Sequence, residues 1–122
     1  MNMIEGFLLC NDLIFTSRIV ATATAAGVSL RTVKTPTALL ELTRSTPPRC
    51  VIADLHTPGL AIEEIAHELS ALSPRPTLVG YGSHVDTATL NRARDAGFDV
   101  VWPRSKFVEE LERSLPSWFS ER

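Results

Sequence analysis

Asp54 ends the apolar run Val51-Ile52-Ala53, and Pro58-Gly59 follows four and five residues on. A short apolar run of this kind reads as a strand buried on both faces, as in a parallel sheet. Its terminal carboxylate then sits where the strands of an open α/β sheet meet a ligand crevice. Such a group can pair with a cation, ligate a hard metal ion or attack a phosphoryl group. Asn11-Asp12, Gly82-Ser83-His84 and Arg104 come after apolar runs in the same way. Brought to one edge, Asp12 and Asp54 could hold Mg²⁺ through oxygen ligands and water, and Arg104 could pair with either acid or with a phosphoryl group. The sequence contains no Gly-rich phosphate loop, Cys/His chelating cluster or nucleophile triad.

The elements that must position these residues show as changes of period along the chain. Phe7-Leu8-Leu9-Cys10 reads as a buried strand. From Leu13 to Ala26 the spacing becomes helical, with Ile14, Phe15, Arg18, Ile19, Thr22, Ala23 and Ala26 on one face and Gly27 as the stop. Val28 to Val33 alternates like a half-exposed edge strand. Thr35-Pro36 is an N-cap followed by a first-turn proline, and Pro47-Pro48 ends the helix that they start. Cys50–Asp54 is the third strand. Ile62, Ile65, Ala66, Leu69 and Leu72 mark the buried face of a third helix, stopped by Ser73-Pro74-Arg75-Pro76. Thr77 to Gly82 is a fourth strand, whose two glycines mark close approach by another group. Asp86 caps a fourth helix that reaches Ala96 and stops at Gly97. Phe98 to Trp102 is a fifth strand, with Trp102 expected close to the acid pocket. The last helix starts near Ser105 or Lys106, turns Phe107, Val108, Leu111 and Leu115 inward, and is ended or kinked by Pro116. Trp118-Phe119 then offer an apolar contact to a partner or fold back over the core.

Five strands alternating with five helices predict an α/β fold. The sheet is parallel, with right-handed crossovers and helices on both faces, in one domain spanning 1–122. A formal net charge of −2 without a block of like charges gives no footprint for nucleic acid. No apolar stretch is long enough for a membrane span, and Met1-Asn2-Met3-Ile4-Glu5-Gly6 has no basic leader, so the expected location is cytoplasmic. Cys10 and Cys50 fall at opposite ends of neighbouring strands, too far apart to bridge, and are expected to be reduced.

On the Asp54–Gly59 segment, on Ala96-Gly97-Phe98-Asp99 followed by Arg104, and on the five-fold βα order, the chain resembles the receiver domains of bacterial response regulators (CheY-like) over essentially its whole length. The resemblance implies a flavodoxin-like (βα)5 three-layer sandwich with strand order 2-1-3-4-5. It implies Asp54 as the phospho-acceptor and Mg²⁺ held by Asp12, Asp54 and the backbone carbonyl of His56. It also exposes departures. Asn11 stands where the family has a second acid, Gly82 where it has a Thr or Ser hydroxyl, Arg104 where it has Lys, and Ser105 where it has Pro. Either Val101 or Trp102 stands at the strand-five aromatic position, whichever faces the switch helix. A planar guanidinium is no equivalent of an ammonium on a flexible stem.

The expectation is therefore an atypical or pseudo-receiver, a stand-alone module of bacterial two-component signalling that acts by protein–protein contact with a degenerate phosphorylation site. The alternative is a competent receiver that transfers a phosphoryl group to Asp54 with Mg²⁺ and slowly hydrolyses it, as in a phosphorelay. A flavodoxin-like binding module for some other ligand ranks last. Beyond self-phosphorylation and dephosphorylation, no enzyme activity is expected. Asp54 is otherwise a strand-end acid paired with Arg104. Asp12 is as readily a helix cap as a metal ligand. The side chains of His56 and His84 read as exposed, and Tyr81 as a packing residue. The partner is a signalling protein or histidine kinase. A homodimer could form through the fourth helix, fifth strand and fifth helix, whose face is expected to carry Arg92, Arg94, Trp102, Phe107, Glu109, Glu110 and Glu112.

Overall fold

Five strands and five helices alternate along the chain in the computed structural model, which describes residues 4–120. Met1, Asn2 and Met3, part of the segment read for a leader, lie outside the described residues. The strands are β1 (Gly6–Leu9), β2 (Leu30–Val33), β3 (Cys50–Asp54), β4 (Thr77–Gly82) and β5 (Val100–Pro103). The helices are α1 (Leu13–Ala25), α2 (Pro36–Ser45), α3 (Ile62–Ser70), α4 (Thr87–Ala96) and α5 (Arg104–Trp118). All strand pairs are parallel, in the order β2-β1-β3-β4-β5. This is the flavodoxin-like order, and no helix among the described residues is long and apolar enough to cross a membrane.

Two apolar layers follow from the two-residue period of the strands. Phe7, Leu9, Val51, Ala53, Leu78 and Val101 point to one face and pack with Leu39 of α2, Ile65 and Leu69 of α3, and Leu90 and Ala93 of α4. Leu8, Cys50, Ile52, Val79 and Tyr81 point to the other and pack with Ile19 and Ala23 of α1 and Phe107, Leu111 and Leu115 of α5. The central strands β1, β3 and β4 are buried at every position, and edge strand β2 is half exposed. Gly6 pairs with Cys50, which places Cys10 four residues further along, roughly 13 Å away at ~3.3 Å per residue. Both thiols are buried and outside any disulfide.

Four local expectations change. Ile14, assigned to the inward face of α1, is 85% exposed; Phe15, Ile19 and Ala23 form that face instead. Phe15 packs on the Tyr81 and Phe107 rings, and seating it there turns Ile14 to solvent. β5 starts at Val100 rather than Phe98, because the Asp99 carboxylate accepts the Leu78 N–H (2.7 Å) in place of a strand carbonyl. Arg75 braces the same carboxylate at 2.9 Å. α5 begins at Arg104 and continues through Pro116 to Trp118. Proline forfeits one backbone bond in the last turn, while Trp118 and Phe119, both buried, hold the end onto the sheet. The Phe119 ring lies so close to Gly6 that a Cβ there would stand 2.6 Å from it. Trp118-Phe119 are thus part of the core. Finally, Trp102 and Asp54 are two strands apart with Tyr81 between them, and Trp102 packs on Trp118 and Lys106. It reports on α5 rather than on the acid pocket.

Candidate functional site

The strands deliver their ends to one edge of the sheet. Asp54 closes β3 in register with Tyr81, and the ladder runs one rung further through Leu55 N–H to Tyr81 O (2.9 Å). The chain then turns. Thr57, buried, donates both its hydroxyl (2.7 Å) and its N–H (3.1 Å) to the Asp54 carbonyl. This clamp holds Asp54 at the rim, 8% exposed. Thr57 was not singled out from sequence, although a Thr three residues after a strand-end acid is a turn signal.

Asp54 shares the parity of Ile52, so its carboxylate leaves on the α1/α5 side. Oδ1 accepts the His56 N–H at 2.9 Å, and Oδ2 faces the Arg104 guanidinium at 3.8 Å. Arg104, the first residue of α5, lies over the Phe15 ring (5.3 Å) and near the Tyr81 ring (6.0 Å), and its side chain is 47% exposed. Tyr81 stacks on Phe107 at 4.6 Å and donates its hydroxyl to Cys10 Sγ at 3.1 Å. Burial above all, and then that hydrogen bond, push its phenol far above the ordinary tyrosine range. Tyr81 is a packing residue, as expected, and it also forms the floor beneath Arg104.

The α4 side of the rim is built differently. His56 carries its imidazole across to β4, where Nε2 accepts the Ser83 N–H at 2.9 Å. A nitrogen that accepts bears no proton, so Nδ1 carries it and faces Asp86 Oδ2 at 3.9 Å. Asp86 caps α4 through Thr89, whose hydroxyl and N–H hold its carboxyl below the usual aspartate value. The Ser83 hydroxyl accepts the Val85 N–H at 3.3 Å within the same loop. The His56 side chain is therefore engaged rather than simply solvated. His84 is exposed at the edge of a shallow depression shared with Phe15, Arg104 and Ser105.

Asp12 does not reach into this pocket as a free acid. Its Oδ1 accepts the Phe15 N–H at 3.0 Å as the cap of α1. For Mg²⁺ the set would be Asp12, Asp54 and the His56 carbonyl. Of these, one carboxylate caps a helix and the other lies between an N–H donor and a guanidinium. Asn11 adds no charge, and among the described residues no group of three or more His, Cys, Asp or Glu converges. As it stands, this donor set does not fit a hard dication, which needs several oxygen ligands free to turn toward it.

On β5 it is Val101 that faces α4, with Leu90 and Ala93. Several residues expected on the α4-β5-α5 face are committed elsewhere. Phe107 is fully buried, Arg92 makes a two-pronged pair with Glu63 of α3 (2.8 and 2.9 Å), and Arg94 bonds Asn91 and the Val101 carbonyl. Glu109 is exposed, Glu110 pairs with Arg113, and Glu112 lies on the other flank of α5, beside Ala21, Thr22 and Ala25 of α1.

No protein-family model and no curated protein matches the sequence. Solved structures do match its fold. A response regulator from Thermotoga maritima superposes with a TM-score of 0.80 at 11% identity, covering 98% of this chain and 100% of that one. The chemotaxis response regulator CheY4 of Vibrio cholerae gives 0.79 at 13%, covering 95% and 98%. The phosphorylated cyanobacterial phytochrome response regulator RcpA gives 0.79 at 13%, covering 98% and 96%. The fold is that of CheY-like receiver domains. At these identities the likeness establishes architecture alone.

Proposed function

We propose that this chain is a receiver-like signalling module that works by binding a partner protein, with Asp54 serving as a structural acid rather than a routine phospho-acceptor. The observation that carries this reading is the state of the Asp54 carboxylate. It is nearly buried, bonded by the His56 N–H and faced by Arg104, with no hydroxyl at Gly82 and with Asp12 turned to a cap. A phosphoryl group formed there would find neither the hydroxyl nor an assembled cation site. A signalling protein or histidine kinase is the partner class that suits the fold. A homodimer through α4, β5 and α5 would have to use Lys106, Glu109 and the exposed part of Trp102. Cytoplasmic operation and a single unit over 1–122 belong to the same reading.

One observation favours the competent alternative: Arg104 is half exposed and 3.8 Å from Oδ2, free enough to follow a group attached there. The deciding experiment is intact-mass measurement after incubation with acetyl phosphate, with and without Mg²⁺. No mass gain is expected. An Mg²⁺-dependent gain of one phosphoryl group, abolished by Asp54→Asn, would replace this reading with the phospho-accepting one.

A further inference from the structure

Gly82 has a neighbour that explains it. A Cβ built there would lie 3.0 Å from His56 Nε2 and 3.4 Å from both His56 Cδ2 and Leu90 Cδ2. The space into which a side chain at position 82 would project is already filled by an imidazole arriving from the next strand. The backbone at Gly82 does not have a positive φ, so the glycine is not there for conformation. It is there for room.

The ring does more than fill. Its Nε2 accepts the Ser83 N–H at 2.9 Å, and its other edge faces Asp86, the cap of α4. The same residue's own N–H is bonded to Asp54 Oδ1 at 2.9 Å. One residue therefore touches the strand-end acid with its backbone and the β4–α4 loop with its side chain. The loop itself is short, from Ser83 to Asp86, and closes on an Asp86 N–H to Ser83 O bond at 3.1 Å. A shift of Ser83 is thus passed to the first turn of α4.

We infer that His56 is a latch: its imidazole takes the place of the side chain that residue 82 lacks and, through the Ser83 N–H, ties the start of α4 to the Asp54 turn. In the latched form the gap between the two loops is shut. A partner side chain or ligand that enters between them displaces the ring, which frees the Ser83 N–H, empties the space over Gly82 and loosens the approach to α4. Such a device has two discrete arrangements, since the ring is either on Gly82 or off it. It holds whether or not Asp54 ever accepts a phosphoryl group.

The test uses the full chain without phosphodonor or metal, so its result is separate from the mass experiment above. Backbone amide exchange at Ser83 is followed by NMR, together with urea unfolding midpoints. His56→Ala is expected to speed exchange at Ser83 tenfold or more while Leu8 and Ile52 in the sheet are unchanged. His56→Gln, whose amide oxygen can accept the same N–H, is expected to recover at least part of the protection. Gly82→Ser is expected to lower the unfolding midpoint in the parent protein, and to lower it by less than half as much in the His56→Ala background, where the ring is gone. The proposal is overturned if Ser83 exchange is the same with and without the imidazole, or if the Gly82→Ser shift is equal in the two backgrounds.

Discussion

The Asp54–Arg104 contact makes a prediction about sign as well as size. Asp54→Asn keeps the shape of the side chain and leaves an oxygen to accept the His56 N–H, but removes the charge facing Arg104. At 3.8 Å two unit charges attract by about 1 kcal/mol in water and about 4 kcal/mol at an effective dielectric of 20. With the arginine side chain 47% exposed, solvent screening keeps the pair near the low end of that range. The charge-assisted bond from His56 also becomes a neutral one, which is weaker. Together these give a loss of about 1–2 kcal/mol at low salt. Unfolding by urea, followed through Trp102 and Trp118, should show it as a lower midpoint with unchanged slope, and in about 1 M salt the loss should shrink. Combining the change with Arg104→Met should show non-additivity, because the two groups share one interaction. If Asp54→Asn instead stabilises the protein, the field at Asp54 is net negative. The carboxylate is then strained rather than paired, and is open to a cation.

Other expectations follow from the same structure. Tyr81 is the only tyrosine. Its raised phenol favours the folded state below the ordinary tyrosine value near 10, and that contribution is lost as pH rises beyond it. Phenolate absorbance should therefore be absent from the native protein at about pH 11 and appear only with unfolding; a native titration near 10 would refute the buried placement. Arg92 holds Glu63 at about 2, against an ordinary 4.5, so the stability it contributes is complete above 4.5 and falls away toward pH 2. Glu63→Gln should flatten that part of the acid profile, most visibly at low salt, and an unchanged profile would remove the pair from the account. Trp118→Ala should cost about 3–5 kcal/mol in urea unfolding, since its buried ring stacks on Phe107 and meets Trp102; a cost under about 1 kcal/mol would mean that the end of α5 is frayed.

Apolar period, capping residues and turn chemistry are local properties, and they carried most of the fold. The Thr35 and Asp86 caps, the Gly97 stop, and the bounds of β3 and β4 lie where the sequence puts them. So do Asp54 and Arg104, because strand parity and the βα order leave their side chains no other edge to reach. The phase of α1, the start of β5 and the end of α5 were not legible. Each depends on a contact across the fold: Phe15 on Tyr81, Asp99 on the Leu78 N–H, and Phe119 on Gly6.

The site divides in the same way. That Gly82 lacks a hydroxyl is written in the chain. That His56 fills the space was settled only when Gly82 and His56, 26 residues apart in sequence, came side by side, whereas the Asp12 cap is a local bond to the Phe15 N–H and one of the two roles its position offered. Sequence determined which groups stand at the rim. Tertiary structure decided which hydrogen bonds they are spent on, because a donor or acceptor chooses its partner by distance in space.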